Sequence, residues 1–189
     1  RWEGQLAAAL TNGADAVVPS GVSNRVLTEG LRRFAGMKEG QGTVEVRVIY
    51  RDGSEAQRFP LGSLKLVREL PGDVKMLRVA LLSLRHPEMD TEVDLAWLRN
   101  RDVSQVRPQA QTDTLGYEIS REQLNELSAH GPRVIWLYQT GLEPAIVGFY
   151  RALVHHLLEH PGSIAVSPRF FRRNGSFEEG TPWVTQLKV

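Results

Sequence analysis

Seven residues, Arg133 to Gln139 (RVIWLYQ), constrain this chain more than any others. Val134, Ile135, Trp136 and Leu137 are apolar at consecutive positions, so a strand made from them has no face suited to water. Such a strand belongs in the middle of a sheet, covered on both sides. Gly131-Pro132 marks its start, and a helical pattern begins directly after it. Leu142, Ile146, Phe149, Tyr150, Leu153 and Leu157 share one face of a helix over 142–159. That face is expected to lie on the sheet, with Arg151, His155 and Glu159 on the opposite side. Phe149→Ala is then expected to leave little folded protein, and Arg151→Ala to change stability by less than about 1 kcal/mol. Gly148, unfavourable in mid-helix, predicts that another element approaches there.

The flanking sequence adds strands and helices of both periods. Trp2, Leu6 and Leu10 suggest a helix over 2–11, and Val26, Leu27, Leu31 and Phe34 one over 23–35 with Gly36 past its end. Val44, Val46, Val48 and Tyr50 alternate as a half-buried strand. Asp52-Gly53 is a hairpin turn signal, and the chain is expected to return over 57–61. Met76–Leu84 reads as a buried strand and Glu92–Asn100 as another. Residues 102–116 are polar and contain Pro108, the pattern of a connection. Ser120-x-x-Gln123 has the form of a capping box opening a short helix. After the long helix come a strand from Ile164 and a hairpin over 169–183 turning at Asn174-Gly175.

The expected fold class is therefore α+β. A mixed β-sheet carries a long covering helix, an N-terminal helical segment and at least two β-hairpins. Residues 1–189 read as a single domain, with sub-lobes 1–101 and 117–189 joined by the connection 102–116. The first residue is Arg, which suggests a processed chain or, better, a piece of a larger protein.

Composition excludes several classes. With no cysteine there is no disulfide, thiolate metal site or cysteine nucleophile, and a reducing, cytoplasmic setting is expected. A formal net charge of +1 supplies no field to draw the protein onto nucleic acid or an anionic membrane. No apolar run is long enough to insert in a bilayer.

Four constellations could carry chemistry. Thr140, Gly141 and Glu143 stand where the buried strand meets the helix, a place where ligands meet free amides. The same residues, as Thr140-x-x-Glu143, also form a capping box. There is no P-loop, dinucleotide fingerprint or serine elbow. His156-Leu157-Leu158-Glu159-His160 matches an inverted zinc-hydrolase string. A third ligand at a convincing spacing is missing beyond Glu178 or Glu179, so no metal site is expected. Arg169, Arg172 and Arg173 interleave with Phe170 and Phe171 as in a nucleic-acid surface, yet Glu178 and Glu179 face them across the predicted turn. His86 with Glu88, Asp90, Glu92 and Asp94 offers an imidazole near carboxylates.

None of these specifies a reaction or a cofactor. The favoured reading is a non-catalytic interaction or assembly module of a larger protein, with a protein partner or self-association ahead of nucleic acid. A small-molecule or nucleotide-binding enzyme domain using the Thr140-Gly141 turn is the alternative. Nucleic-acid binding through the Arg169–Arg173 hairpin is the third.

Overall fold

The computed structural model describes residues 23–36, 47–60, 64–83, 92–140, 142–172 and 174–185. The expected helix at 2–11 and the His86 turn lie outside the described residues, as do Gly141 and Arg173.

The strands β1 (Met76–Ser83), β2 (Leu95–Arg99), β3 (Arg133–Gln139), β4 (Ile164–Phe171) and β5 (Phe177–Glu179) form one mixed sheet in the order β2-β1-β3-β4-β5. The first four are parallel, and β5 returns antiparallel to β4. The apolar strand β3 is central, as its composition demands. The helices are α1 (Asn24–Ala35), α2 (Asn100–Val103), α3 (Gln109–Ser128) and α4 (Glu143–Glu159). The fold is α+β, with a long helix on a mixed sheet, a hairpin bridged at Ile49 and Glu55 and a second formed by β4 and β5.

The two faces of the sheet are unlike. Register places Val79, Leu137 and Val166 on one face. They join Ile146, Phe149, Leu153 and Leu157 of α4 and Leu27 and Phe34 of α1 in one apolar cluster. The opposite face carries Ala80 and Tyr138 in one small cluster and Val134 and Ala165 in another, and neither includes a helix residue.

The close approach predicted by Gly148 is present. A Cβ there would sit 2.2 Å from the Asp113 carbonyl oxygen and 2.8 Å from the Tyr117 amide nitrogen. One at Gly116 would meet the Ala145 carbonyl oxygen at 2.8 Å. Helices α3 and α4 therefore touch backbone to backbone through two glycines, and α4 is buried almost all round.

Three expectations fail here. The stretch 102–116 is no loose connection: it contains part of α2 and the first turns of α3. Ser120 is fully buried in mid-helix rather than at an N-cap. The true start of α3 has no local capping side chain, because Pro108 precedes it. Its free amides are met from elsewhere: Gln109 N–H donates to Asp52 Oδ2 at 2.7 Å and Ala110 N–H to Ser54 Oγ at 3.0 Å. Arg151, assigned to solvent, is 1% exposed. It lies one turn from Gly148 and so faces α3 with it. Gly36 does end α1, but in a right-handed conformation (φ −89°) that makes no special use of glycine.

Candidate functional site

Strand order reverses between β1 and β3: from β1 the chain moves out to β2, and from β3 it moves the other way to β4. In open, largely parallel sheets the crevice beyond the carboxyl ends at such a point is where ligands bind. Thr140 stands there, directly after β3.

Its environment is not that of a helix cap. The N-cap of α4 is Leu142, in the left-handed region (φ 48°, ψ 68°) and without a side-chain cap. Ala145 N–H bonds to the Leu142 carbonyl at 3.0 Å, and Pro144 contributes no donor. The capping box therefore does not form, because the helix begins too late for Thr140 to reach its first turn. Thr140 is 3% exposed and its Oγ1 has no hydrogen-bond partner. Glu143 sits half-buried in the first turn.

The neighbouring residue is the opposite case. Gln139 is fully buried and satisfied, donating from Nε2 to Thr28 Oγ1 at 2.9 Å and accepting from the Tyr150 hydroxyl at 2.5 Å. Burial pushes the Tyr150 phenol well above its usual range, so it stays a donor. Tyr150 also stacks on Trp183 with ring centroids 4.4 Å apart. This network fixes the end of β3 against α1 and leaves the Thr140 hydroxyl as the free polar group beside it.

The arginine hairpin is charge-paired, as its sequence implied. Arg172 Nη2 lies 3.4 Å from Glu178 Oε2, and Arg169 Nη1 lies 3.5 Å from Glu179 Oε2. Arg25 of α1 also reaches Glu178. The turn is longer than the two-residue type that an Asn-Gly pair favours. Gly175 N–H bonds to Arg172 O at 3.0 Å and Arg172 N–H to Ser176 O at 2.8 Å, which leaves a three-residue loop with Gly175 at φ +84°. Arg169 is not a simple surface cation: its guanidinium carbon sits 3.9 Å over the Trp136 ring and its Nε is buried without a partner. Two residues back on the same face of β4, the Ser167 hydroxyl is likewise fully buried and unpartnered.

His156 is fully buried and neither ring nitrogen has a partner. Burial, then the charge of His160, holds its pKa down at about 4, so it is neutral near pH 7. The two rings are 5.1 Å apart, but Glu159 is taken by Arg121, with both carboxylate oxygens 2.9 Å from Nη2. Among the described residues no group of three histidines or carboxylates gathers that could hold a metal. A cleft of about 480 Å³ opens beside His160, lined by Asn125, Ser128, Ala129, Glu159 and Ser163. It lies at the amino edge of the sheet, away from Thr140.

Sequence reasoning missed a buried ionic cluster altogether. Arg151 Nη2 donates to Asp113 Oδ1 at 2.5 Å, the Tyr50 hydroxyl donates to Asp113 Oδ2 at 2.5 Å, and Arg151 lies over the Tyr117 ring at 4.1 Å. Burial raises the Asp113 pKa, although Arg151 and Tyr50 pull the other way. Gly148 was the available signal: a side chain one turn from a close contact shares that contact.

No protein-family model and no curated protein matches the chain. Among solved structures it is similar to the Acinetobacter baumannii Cap4 receptor, which contains a SAVED/CARF domain and was determined with the cyclic trinucleotide 3′3′3′-cAAA. Identity is 9% and the TM-score 0.46, over 89% of this chain. This chain spans 35% of that receptor's length. No helix among the described residues is long and apolar enough to cross a membrane.

Proposed function

We propose that this chain is a non-catalytic binding module whose ligand is a small polar molecule held at the carboxyl end of β3. The observation that carries this reading is the Thr140 hydroxyl, buried, unpartnered and placed at the switch point of the sheet. Gln139, Thr28 and Tyr150 supply a rigid wall behind it. The start of α4 follows Thr140, and Pro144 and the Glu143 carboxylate make that start a poor stand-alone anion site. The Thr140 hydroxyl has no base hydrogen-bonded to it, and binding without turnover is the simpler role.

The test is a thermal-shift screen of nucleotides, sugar phosphates, amino acids and dicarboxylates against wild type and Thr140→Val. At least one compound should raise the melting temperature of wild type. Thr140→Val, which removes only an unpaired hydroxyl, should melt like wild type and bind that compound roughly tenfold more weakly. A screen without hits, or equal binding by the variant, overturns the reading.

A further inference from the structure

We propose that the ligand is a nucleoside phosphate lying over β3 and β4, its phosphate read by Arg169 and its ring set against the aromatic surface beside it. This rests on the reading that Thr140 marks a ligand site. Three buried polar atoms without partners, Thr140 Oγ1, Ser167 Oγ and Arg169 Nε, lie just past the end of β3 and on the adjacent strand β4. Register pairs Trp136 with Ser167 and Tyr138 with Arg169, so all four stand on one face of the sheet. Thr140 is the next position in the same alternation along β3. This is the face whose apolar clusters contain no helix residue. Buried polar groups are nearly always paired in a folded chain, so three neighbouring exceptions point to a partner outside the chain.

Arg169 defines the charge of that partner. A guanidinium has five donors; among the described residues this one makes a 3.5 Å contact to the exposed carboxylate of Glu179 and leaves its Nε without a partner. Its planar fork suits a phosphate, and stacking on Trp136 holds the plane of the fork in place. Tyr138 and Phe177, packed edge to face with centroids 4.7 Å apart, continue the aromatic surface. An anion without a ring would leave that surface unused, and a ring without an anion would leave the Arg169 Nε unpaired. The hydroxyls of Ser167 and Thr140 fit the polar edges of a base or sugar.

Calorimetric titration with AMP and adenosine, which differ only by the phosphate, tests the assignment. Wild type should bind AMP roughly tenfold or more tighter than adenosine. Arg169→Gln should abolish that preference. Arg169→Lys, which keeps the charge over Trp136, should retain part of it and guards against a folding artefact in the Gln variant. Thr140→Val should weaken both compounds alike. If adenosine and AMP bind equally and Thr140→Val weakens both, the phosphate assignment falls while the Thr140 site stands. If Thr140→Val changes neither, the site reading falls. If AMP does not bind at all, the nucleoside phosphate is excluded, and a different hit lost in Thr140→Val would leave only the site.

Discussion

The chain contains the same four-residue idea twice, Arg51-Asp52-Gly53-Ser54 and Arg173-Asn174-Gly175-Ser176. Both make a three-residue hairpin loop with glycine in the left-handed region, at φ +82° and +84°. In both, the serine amide and hydroxyl donate to the Oδ1 of the residue two before it: 3.0 and 2.5 Å at Asp52, 3.0 and 2.6 Å at Asn174. There the likeness ends. The second turn carries its bonds internally. The first is docked on α3, where Asp52 Oδ2 accepts Gln109 N–H, Ser54 Oγ accepts Ala110 N–H, and Tyr50 reaches Asp113. The difference of one atom explains the choice of residue. A free turn needs a single acceptor oxygen, which asparagine has; a turn that also caps a helix needs two, which only aspartate has.

The largest effect should come from breaking the docking at its buried end. Arg151→Ala leaves the Asp113 carboxylate buried beside Tyr50 without its counter-charge, and should cost about 3–5 kcal/mol. That replaces the sequence expectation of less than about 1 kcal/mol, and puts Arg151→Ala near Phe149→Ala, about 3–5 kcal/mol by cavity formation. Urea denaturation of both decides it: an Arg151→Ala midpoint close to wild type would mean the ion pair is not a structural element. A double variant, Arg151→Met with Asp113→Leu, should recover much of the loss.

Next in size is Asp52→Ala, which uncaps α3 from a distance and should lower the melting temperature by a few degrees, with a loss of helical circular dichroism. Unchanged melting would show that the cap contributes nothing in solution. The two glycines should then behave alike. Gly53→Ala and Gly175→Ala each force an alanine to positive φ in open space, at about 1 kcal/mol apiece. A much larger loss at Gly53 would mean that docking depends on the backbone of the turn as well as on its side chains.

The smallest effects are expected at the side chains of the two loops. Asp52→Asn converts the docked turn into the sequence of the free one. It should keep the Ser54 bonds and lose the Gln109 bond, since its second position is now a donor. Ser54, then Gln109, hold the Asp52 carboxyl below the usual carboxylate range in the folded protein. Its contribution is therefore present above the unfolded value near pH 4 and is lost as pH falls through the folded one. Wild type and Asp52→Asn should differ at neutral pH and converge in acid; a gap that persists at low pH would show that charge is not its origin. Asn174→Ala should stay within about half a kcal/mol of wild type.

What the sequence determined by itself were features whose causes are local. Four consecutive apolar residues made β3 a central strand, and the helical spacing of Ile146, Phe149, Leu153 and Leu157 made α4 its cover. The Asn174-Gly175 and Asp52-Gly53 pairs made turns, and opposed charges set Arg172 beside Glu178. Thr140 could be picked out as a strand-to-helix position. Its unmet hydroxyl could not, because the local pattern reads as a capping box and only the left-handed Leu142 moves the helix start out of reach. Tertiary structure alone decided the rest. The start of α3 is set by Asp52, 57 residues from Gln109. The burial of Arg151 is set by Asp113, 38 residues away, and the fit of Gln139 by Thr28, 111 residues away. The physical reason is common to all three. Leaving a hydrogen-bonding group unpaired inside a protein is costly, and when no partner lies within a turn of chain, only the packing of distant segments can supply one.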